Sequence, residues 1–422
     1  MRLIGNKTKL LGDIEQLLES QGVRGGTLID IFAGTSSVGR HFKRRGFRVL
    51  ANDRMASCFA QAVAAVEVSC PPAFRRFRDA QGAALADERF REEFFAEYGP
   101  RGASERRDDG GEPLREAIHF LGTRVAPREG LVFRSFSDGG PHGRRYFTAE
   151  NGRRIDGMLE FLTGGLRRGI LTRGEFFLLL SALIDAADRV ANISGTYGAY
   201  LKQFQMSARR PLTLVVPDVV SSGHQNRAYQ EDANRLVRRL EGDVLYIDPP
   251  YNKRQYPANY HVLEVLARHH AVDDLDAFEA SLYGKTGLLP YADERSDFCV
   301  APRAGRRAPR GADTRRGDVA SAMLDLVTST KARHVVISYN EEGLLGREEI
   351  GGMLCRFAGR KTFDWKRGFR EIAYRRFRSD HDRPAADHNG SSRSYKVLEG
   401  RAADEIHEWL FFASRDRAGA GR

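Results

Sequence analysis

Cysteine is scarce in this chain of 422 residues, and the four present (Cys58, Cys70, Cys299 and Cys355) lie far apart with no CxxC pair. That spacing argues against a disulfide framework or a zinc site, and makes reduced thiols the default. No apolar run approaches the roughly 18 residues of a membrane helix, and no succession of basic, apolar and small residues opens the chain. The expectation is a soluble, cytoplasmic protein with no membrane partner. GxGxxG and the phosphate-gripping Walker sequence are also missing, as is any internal repeat. Lysine is sparse, at ten of the 67 basic residues. The formal charge of +11 favours a polyanionic partner, although a compositional preference for arginine inflates such a count by itself.

What is present is an interrupted α/β pattern. GTLIDIFAGTSSVGRHFKRRG gives an apolar strand over 28–32, a small-residue turn over 33–37, and then a helix. FRVLANDR, residues 47–54, is a second short strand ending on an acidic residue, which completes a βαβ unit. From about 61 to 190 apolar strands become rare, and GEFFLLLSALIDAADRVA, residues 174–191, is a clear helix. Strands return with DVLYI and RHVVISYN (333–340), while REIAYRRF and EWLFFAS (408–414) suit closing antiparallel strands. A polar tract over 301–318, APRAGRRAPRGADTRRGD, reads as a basic loop.

Two places in this pattern carry chemistry. In DIFAG, residues 30–34, small residues after a strand let a ligand approach the backbone, and the following helix offers its positive N-terminus. A plain tight turn has the same composition. Asp53, about 20 positions on at the end of the second strand, suits hydrogen bonds from ribose hydroxyls; a helix cap is the structural alternative. Together these imply an adenosyl cofactor without a required pyrophosphate.

The second place is Asp248-Pro249-Pro250-Tyr251, at the end of the apolar run DVLYI. Proline cannot donate to a sheet, so the strand stops there, and ANYHVLEVLARHH beyond it looks helical. The carboxyl edge of an open α/β sheet is where such folds place ligands. An exocyclic amine on a nucleobase is a poor nucleophile, because its lone pair is delocalised into the ring. Asp248 supplies a carboxylate for one N–H, the Pro249 carbonyl suits the other, and Tyr251 offers a π-face for an unstacked base. A structural turn with a buried tyrosine is the competing reading.

At these residues the chain resembles the adenine-specific DNA methyltransferases that use S-adenosylmethionine, in their Dam-like group. Asp-Pro-Pro-Tyr is that family's hallmark, and DPPYNKRQYPANYH is similar to its extension. The family's Asp-x-Phe-x-Gly cofactor motif stands here as Asp30, Phe32 and Gly34. IGNKTKLL resembles the segment lying over the methionine end, which implies Gly5 and Lys7 near the cofactor. QEDANRLVRRL resembles the segment whose acidic residue, here Asp232, meets the cofactor's adenine. Thr35-Ser36-Ser37 departs from the more glycine-rich loop of many relatives. Residues 70–160 carry no family motif, so the recognition sequence is not legible. ISGTYGAYLKQF (193–204) resembles a family segment and suits either a DNA-contacting loop or a packed helix entry.

The resemblance implies a class I methyltransferase fold, an α/β, Rossmann-like doubly wound sheet with an inserted, mostly helical target-recognition region. The division expected is a cofactor-binding part over 1–60, the insertion over 61–190 and a catalytic part over 191–422. The reaction implied is methylation of adenine N6 in duplex DNA, with a cognate restriction endonuclease as a possible partner. An RNA adenine methyltransferase would share the pocket, and a non-catalytic DNA-binding protein would explain the charge alone. Arg306, Arg307, Arg310, Arg315 and Arg316 are candidates for phosphate contacts, against a solvated loop. His261 and Glu264, at i and i+3 on a helix, suit a structural pair better than a metal, so no metal site is expected.

Overall fold

The computed structural model describes residues 1–99, 111–302, 317–375 and 405–415. Seven strands run through them: β1 (Thr27–Asp30), β2 (Arg48–Asn52), β3 (Arg227–Tyr229), β4 (Val244–Ile247), β5 (His334–Asn340), β6 (Phe369–Arg375) and β7 (Glu405–Ser414). The chain divides into two compact units, Met1–Leu236 with Tyr256–Glu294, and Val237–Gln255 with Arg295–Arg422. No helix among the described residues is long and apolar enough to cross a membrane.

In the first unit β3, β2 and β1 lie side by side and parallel, with Leu28 opposite Val49 and Leu50 opposite Arg227. Leu28, Ile29, Val49 and Leu50 are buried, the continuous apolar character of parallel strands covered on both faces. Helices α1 (Leu11–Ser20), α2 (Ser37–Arg44) and α3 (Ala56–Ala62) pack in the same unit. α3 continues into a π-helical turn, Val63–Glu67, whose end is closed from outside. There the buried Lys43 ammonium donates to the carbonyls of Val68 (2.6 Å) and Ala65 (3.4 Å), placing a cation where the helix dipole is negative. Burial lowers the Lys43 pKa to about 8.

Between residues 61 and 190 the described chain contributes helices and no strand, in keeping with the expected helical character. The principal ones are Glu88–Tyr98, Glu112–Thr123, Leu131–Phe136, Ala149–Arg167 and Arg173–Arg189. Their core is aromatic: Phe77 meets Phe120 edge-on at 5.4 Å, and Phe90 stacks with Phe94. Arg173–Arg189 starts with a capping box, in which Thr172 and Glu175 satisfy each other's backbone amides. The start of Leu131–Phe136 is pinned from another helix, since Asp156 accepts from the amides of Gly130, Val132 and Phe133 at 2.7–3.0 Å. Burial nonetheless pushes the Asp156 carboxyl up to about 7.

In the second unit the strand order is β4-β5-β7-β6. β4 and β5 are parallel, with Val244 opposite His334, while β7 runs antiparallel to both β5 and β6. Every residue of β5 is buried. The two closing antiparallel strands read from REIAYRRF and EWLFFAS are therefore present. Two details differ from the reading of the sequence. β3, only three residues long, was too short to show a strand period. The helix expected over 258–270 is broken: Tyr256–Asn259 is a short turn of helix, Tyr260 leaves helical geometry, and His261–Arg268 follows. Asp-Pro-Pro-Tyr thus opens into a loop before any helix begins.

Candidate functional site

The first unit gathers most of the residues expected around a cofactor. β1 ends on Asp30, which is buried and accepts the amide of Gly39 in α2 at 3.1 Å, fixing the strand to the helix that follows it. The turn between them needs left-handed backbone at Gly34 (φ +52°) and at Ser36 (φ +59°). Such geometry is free for glycine and costs serine about 1–3 kcal/mol, strain that tends to persist at functional sites. A side chain at Gly34 would place its Cβ 3.0 Å from the Leu3 side chain, so the N-terminal segment lies directly against the turn. That segment contains Gly5, with φ +87°, and Lys7, which is buried. It is held by two tyrosines: the Tyr260 hydroxyl accepts from the Ile4 amide at 2.9 Å, and the Tyr256 hydroxyl donates to the Ile4 carbonyl at 3.3 Å. Phe32, in the turn itself, is half-buried.

Asp53 follows β2 and reaches across the turn. Its Oδ2 accepts from the Gly34 amide and its Oδ1 from the Met55 amide, both at 2.9 Å. Burial raises its carboxyl to about 6, against the opposing pull of the Met55, Gly34 and Arg54 amides, and the nearby Glu264 charge raises it further. Asp53 does not cap α3. That cap comes from Glu264, fully buried on helix His261–Arg268, whose carboxylate accepts from the amides of Ala56 and Ser57 at 2.9 Å and from the Ser57 hydroxyl at 2.6 Å. Arg268 donates to it at 2.8 Å and forms a two-pronged pair with Glu294 at 2.6 Å. Asp232 stands half-exposed at the head of a short helix, Ala233–Leu236, accepting from the Arg235 amide at 3.1 Å, with Arg54 3.9 Å away.

The second unit holds Asp248-Pro249-Pro250-Tyr251 immediately after β4. Asp248 and Tyr251 are half-buried and Pro249 is buried, so the turn is anchored while two of its side chains stay partly accessible. The Tyr251 carbonyl accepts from the Leu344 amide at 3.0 Å, and its ring lies near-perpendicular to that of Tyr339 at a centroid distance of 6.4 Å.

The remaining candidates divide. Arg306, Arg307, Arg310, Arg315 and Arg316 lie outside the described residues. His261 and Glu264 serve different partners: the His261 ring nitrogens lie 3.1 and 3.0 Å from the carbonyls of Ala258 and Thr286. In the segment 193–204, Tyr197 is buried, donates its hydroxyl to Asp188 at 2.9 Å and its amide to the Asn259 carbonyl at 2.7 Å. Gly198 and Ala199 beside it are exposed, so this segment combines a packed root with an open tip. Glu264 and Tyr339 were not singled out for these roles from sequence. The available signal was an acid set among apolar residues, four before an arginine.

Residues 3–285 match the family model described as D12 class N6 adenine-specific DNA methyltransferase. Among curated proteins, the chain is 31% identical over 422 residues to the type II methyltransferase M.FokI of Planomicrobium okeanokoites, covering 99% of this chain and 53% of that one. It is 30% identical over 390 residues to the type II methyltransferase M.NlaIII of Neisseria lactamica, covering 90% of this chain and 93% of that one. The modification methylase StsI of Streptococcus sanguinis is 27% identical over 380 residues, with 90% of this chain and 49% of that protein aligned. The chain thus spans about half the length of two of these relatives and nearly all of the third. No solved structure matches the chain.

Proposed function

Because this chain belongs to the D12 class N6 adenine-specific DNA methyltransferases, we propose that it transfers the methyl group of S-adenosylmethionine to the N6 amine of adenine at a specific site in duplex DNA. The observation that carries this reading is Asp248-Pro249-Pro250-Tyr251, anchored at the end of a buried strand with Asp248 and Tyr251 still half-accessible. The α/β architecture is that of a class I methyltransferase. The names of the relatives, all modification enzymes, support a role in restriction–modification with a cognate endonuclease as partner. A cytoplasmic location would suit work on intracellular DNA.

The residues of the first unit fit an adenosyl cofactor. Gly34 leaves the turn free of a side chain, and Asp53 presents a carboxylate beside it. Gly5 and Lys7 belong to the segment packed on that turn, Phe32 and Asp30 frame it, and Asp232 would face the adenine end. The cofactor supplies an electrophilic methyl group on sulfur. The N6 atom is hydrogen-bonded inside duplex DNA, so the base must first leave the stack. Stacking on Tyr251 returns about 1–3 kcal/mol of that cost. Asp248 accepts one N–H of the amine and the Pro249 carbonyl the other, which turns the nitrogen lone pair out of conjugation with the ring. The N–C bond then forms as the S–C bond breaks, and one N6 proton passes to water. Alignment of the reacting atoms carries much of the rate. The helical stretch over 61–190 is the natural reader of the recognition sequence, with the arginines at 306, 307, 310, 315 and 316 as phosphate contacts.

The test is Asp248→Ala. Labelled methyl transfer to DNA should be abolished, while calorimetry finds cofactor affinity within several-fold of wild type. A variant retaining more than about a tenth of the activity, against the 10²–10³-fold cost of losing such an acceptor, removes Asp248 from this role. Methylation-sensitive sequencing of DNA from cells expressing the protein identifies the site.

A further inference from the structure

The catalytic turn is not self-supporting, and its support comes from the far end of β5. Tyr339, the penultimate residue of that strand, is fully buried. The chain then turns sharply through Asn340 to Gly343, where the Gly343 amide donates to the Asn340 carbonyl at 2.8 Å and the Glu342 amide to the Asn340 side chain at 2.9 Å. This returns the backbone over the Tyr339 ring. The Tyr339 hydroxyl accepts from the amides of Leu344 (3.1 Å) and Leu345 (3.3 Å). The Leu344 amide is shared, because it also donates to the Tyr251 carbonyl at 3.0 Å. One N–H therefore binds the catalytic turn and the Tyr339 phenol together. The Tyr339 ring meets the Tyr251 ring near-perpendicularly, at 72°, the edge-to-face arrangement that aromatic pairs prefer. Gly343 makes this fit possible through its size: a Cβ there would lie 2.3 Å from the Tyr339 ring.

We infer that Tyr339 is a positioning residue for methyl transfer: through the shared Leu344 amide and the near-perpendicular ring contact it fixes the plane of Tyr251, on which the extruded adenine stacks. Tyr339 does not itself touch the base in this arrangement. Its phenol, pushed up to about 12 by burial, stays neutral throughout the working range, so it acts by shape and hydrogen bonding and not by titration. Holding a stacking platform to within a fraction of an ångström matters because a misplacement of about 1 Å can cost 10²-fold in rate.

The inference rests on the methyl-transfer reading, and the experiment separates the two. Tyr339→Phe keeps the ring and removes the acceptor for two amides; Tyr339→Leu also removes the ring contact. Wild type and both variants are compared for kcat, for KM toward DNA and cofactor, for thermal unfolding, and for fluorescence of 2-aminopurine at the target position. A fluorinated tyrosine at position 251 reports its ring environment by ¹⁹F NMR. The expected result is a kcat loss of about 10-fold for Phe and about 10²-fold for Leu. KM values stay within twofold, 2-aminopurine is brighter because the extruded base is less well stacked, and the ¹⁹F resonance moves in Leu. Unchanged kcat with an unmoved ¹⁹F signal overturns the inference. So does a loss of activity that only tracks unfolding, with equal effects on kcat and KM. If wild-type protein methylates no DNA, the proposed reaction fails, while the ¹⁹F comparison still decides whether Tyr339 holds Tyr251.

Discussion

Asp53 sits among backbone amides that favour its charge and in burial that opposes it, and burial prevails, bringing its pKa to about 6. A ribose hydroxyl is a donor, and a carboxylate accepts it more strongly than a carboxylic acid does. Cofactor affinity should therefore be full at pH 8 and fall through pH 6, by about 10-fold at pH 5, since each pH unit below a pKa is a tenfold loss of the charged form. Asp53→Ala should flatten that profile and cost about 1–3 kcal/mol of binding at pH 8. Calorimetric titrations from pH 5 to 8 measure both, and a wild-type affinity independent of pH removes Asp53 from the ribose. The sign for stability is opposite. A carboxyl raised above its ordinary value stabilises the fold most when neutral, so that contribution is complete below pH 4 and lost as the pH rises through 6. Affinity and stability thus pull against one another at this residue, as is common where a site is built for binding.

At the level of elements, helix α3 depends on a carboxylate borrowed from another helix. Glu264→Ala would leave the Ala56 and Ser57 amides without their acceptor in a buried setting, and Arg268 with Glu294 alone. Removing one partner of such an arrangement costs about 3–5 kcal/mol. Denaturant unfolding should show that loss, with Glu264→Gln intermediate because its carbonyl still accepts. An unfolding midpoint equal to wild type would mean that water replaces the cap. These pairings mark the limit of what was legible beforehand. β1, β2, β4 and β5 could be read because buried parallel strands are short apolar runs, and the turn chemistry of Asp30 to Gly34 and of Asp248 to Tyr251 is local. The Glu264 cap spans 208 residues and the Asp53 bond to Gly34 spans 19, and nothing in local composition encodes a partner so distant. The break at Tyr260 was hidden for the same reason. The apolar period of the following helix continues through it, while its hydroxyl is committed to Ile4.

For the whole molecule the net charge of +11 is the property a polyanion meets first. If Arg306, Arg307, Arg310, Arg315 and Arg316 each contact a phosphate, neutralising all five should weaken every DNA sequence alike. It should also flatten the slope of log affinity against log salt by about 0.9 per contact. A wild-type slope in that variant assigns the grip to the helices between 61 and 190. Tyr251→Ala should leave the slope alone and lose turnover, because stacking releases no counterions. The division of the chain has a consequence in time. The first unit is interrupted: Met1–Leu236 is completed only by Tyr256–Glu294. On a ribosome adding about 5–20 residues per second, the first part waits roughly 3–12 s for the second. Until Glu264 emerges, the head of α3 has no cap, and the apolar faces of that unit stay open to chaperones and to neighbouring nascent chains. Slower translation lengthens that window, so the yield of folded protein should follow growth temperature and chaperone supply even where the candidate site is untouched.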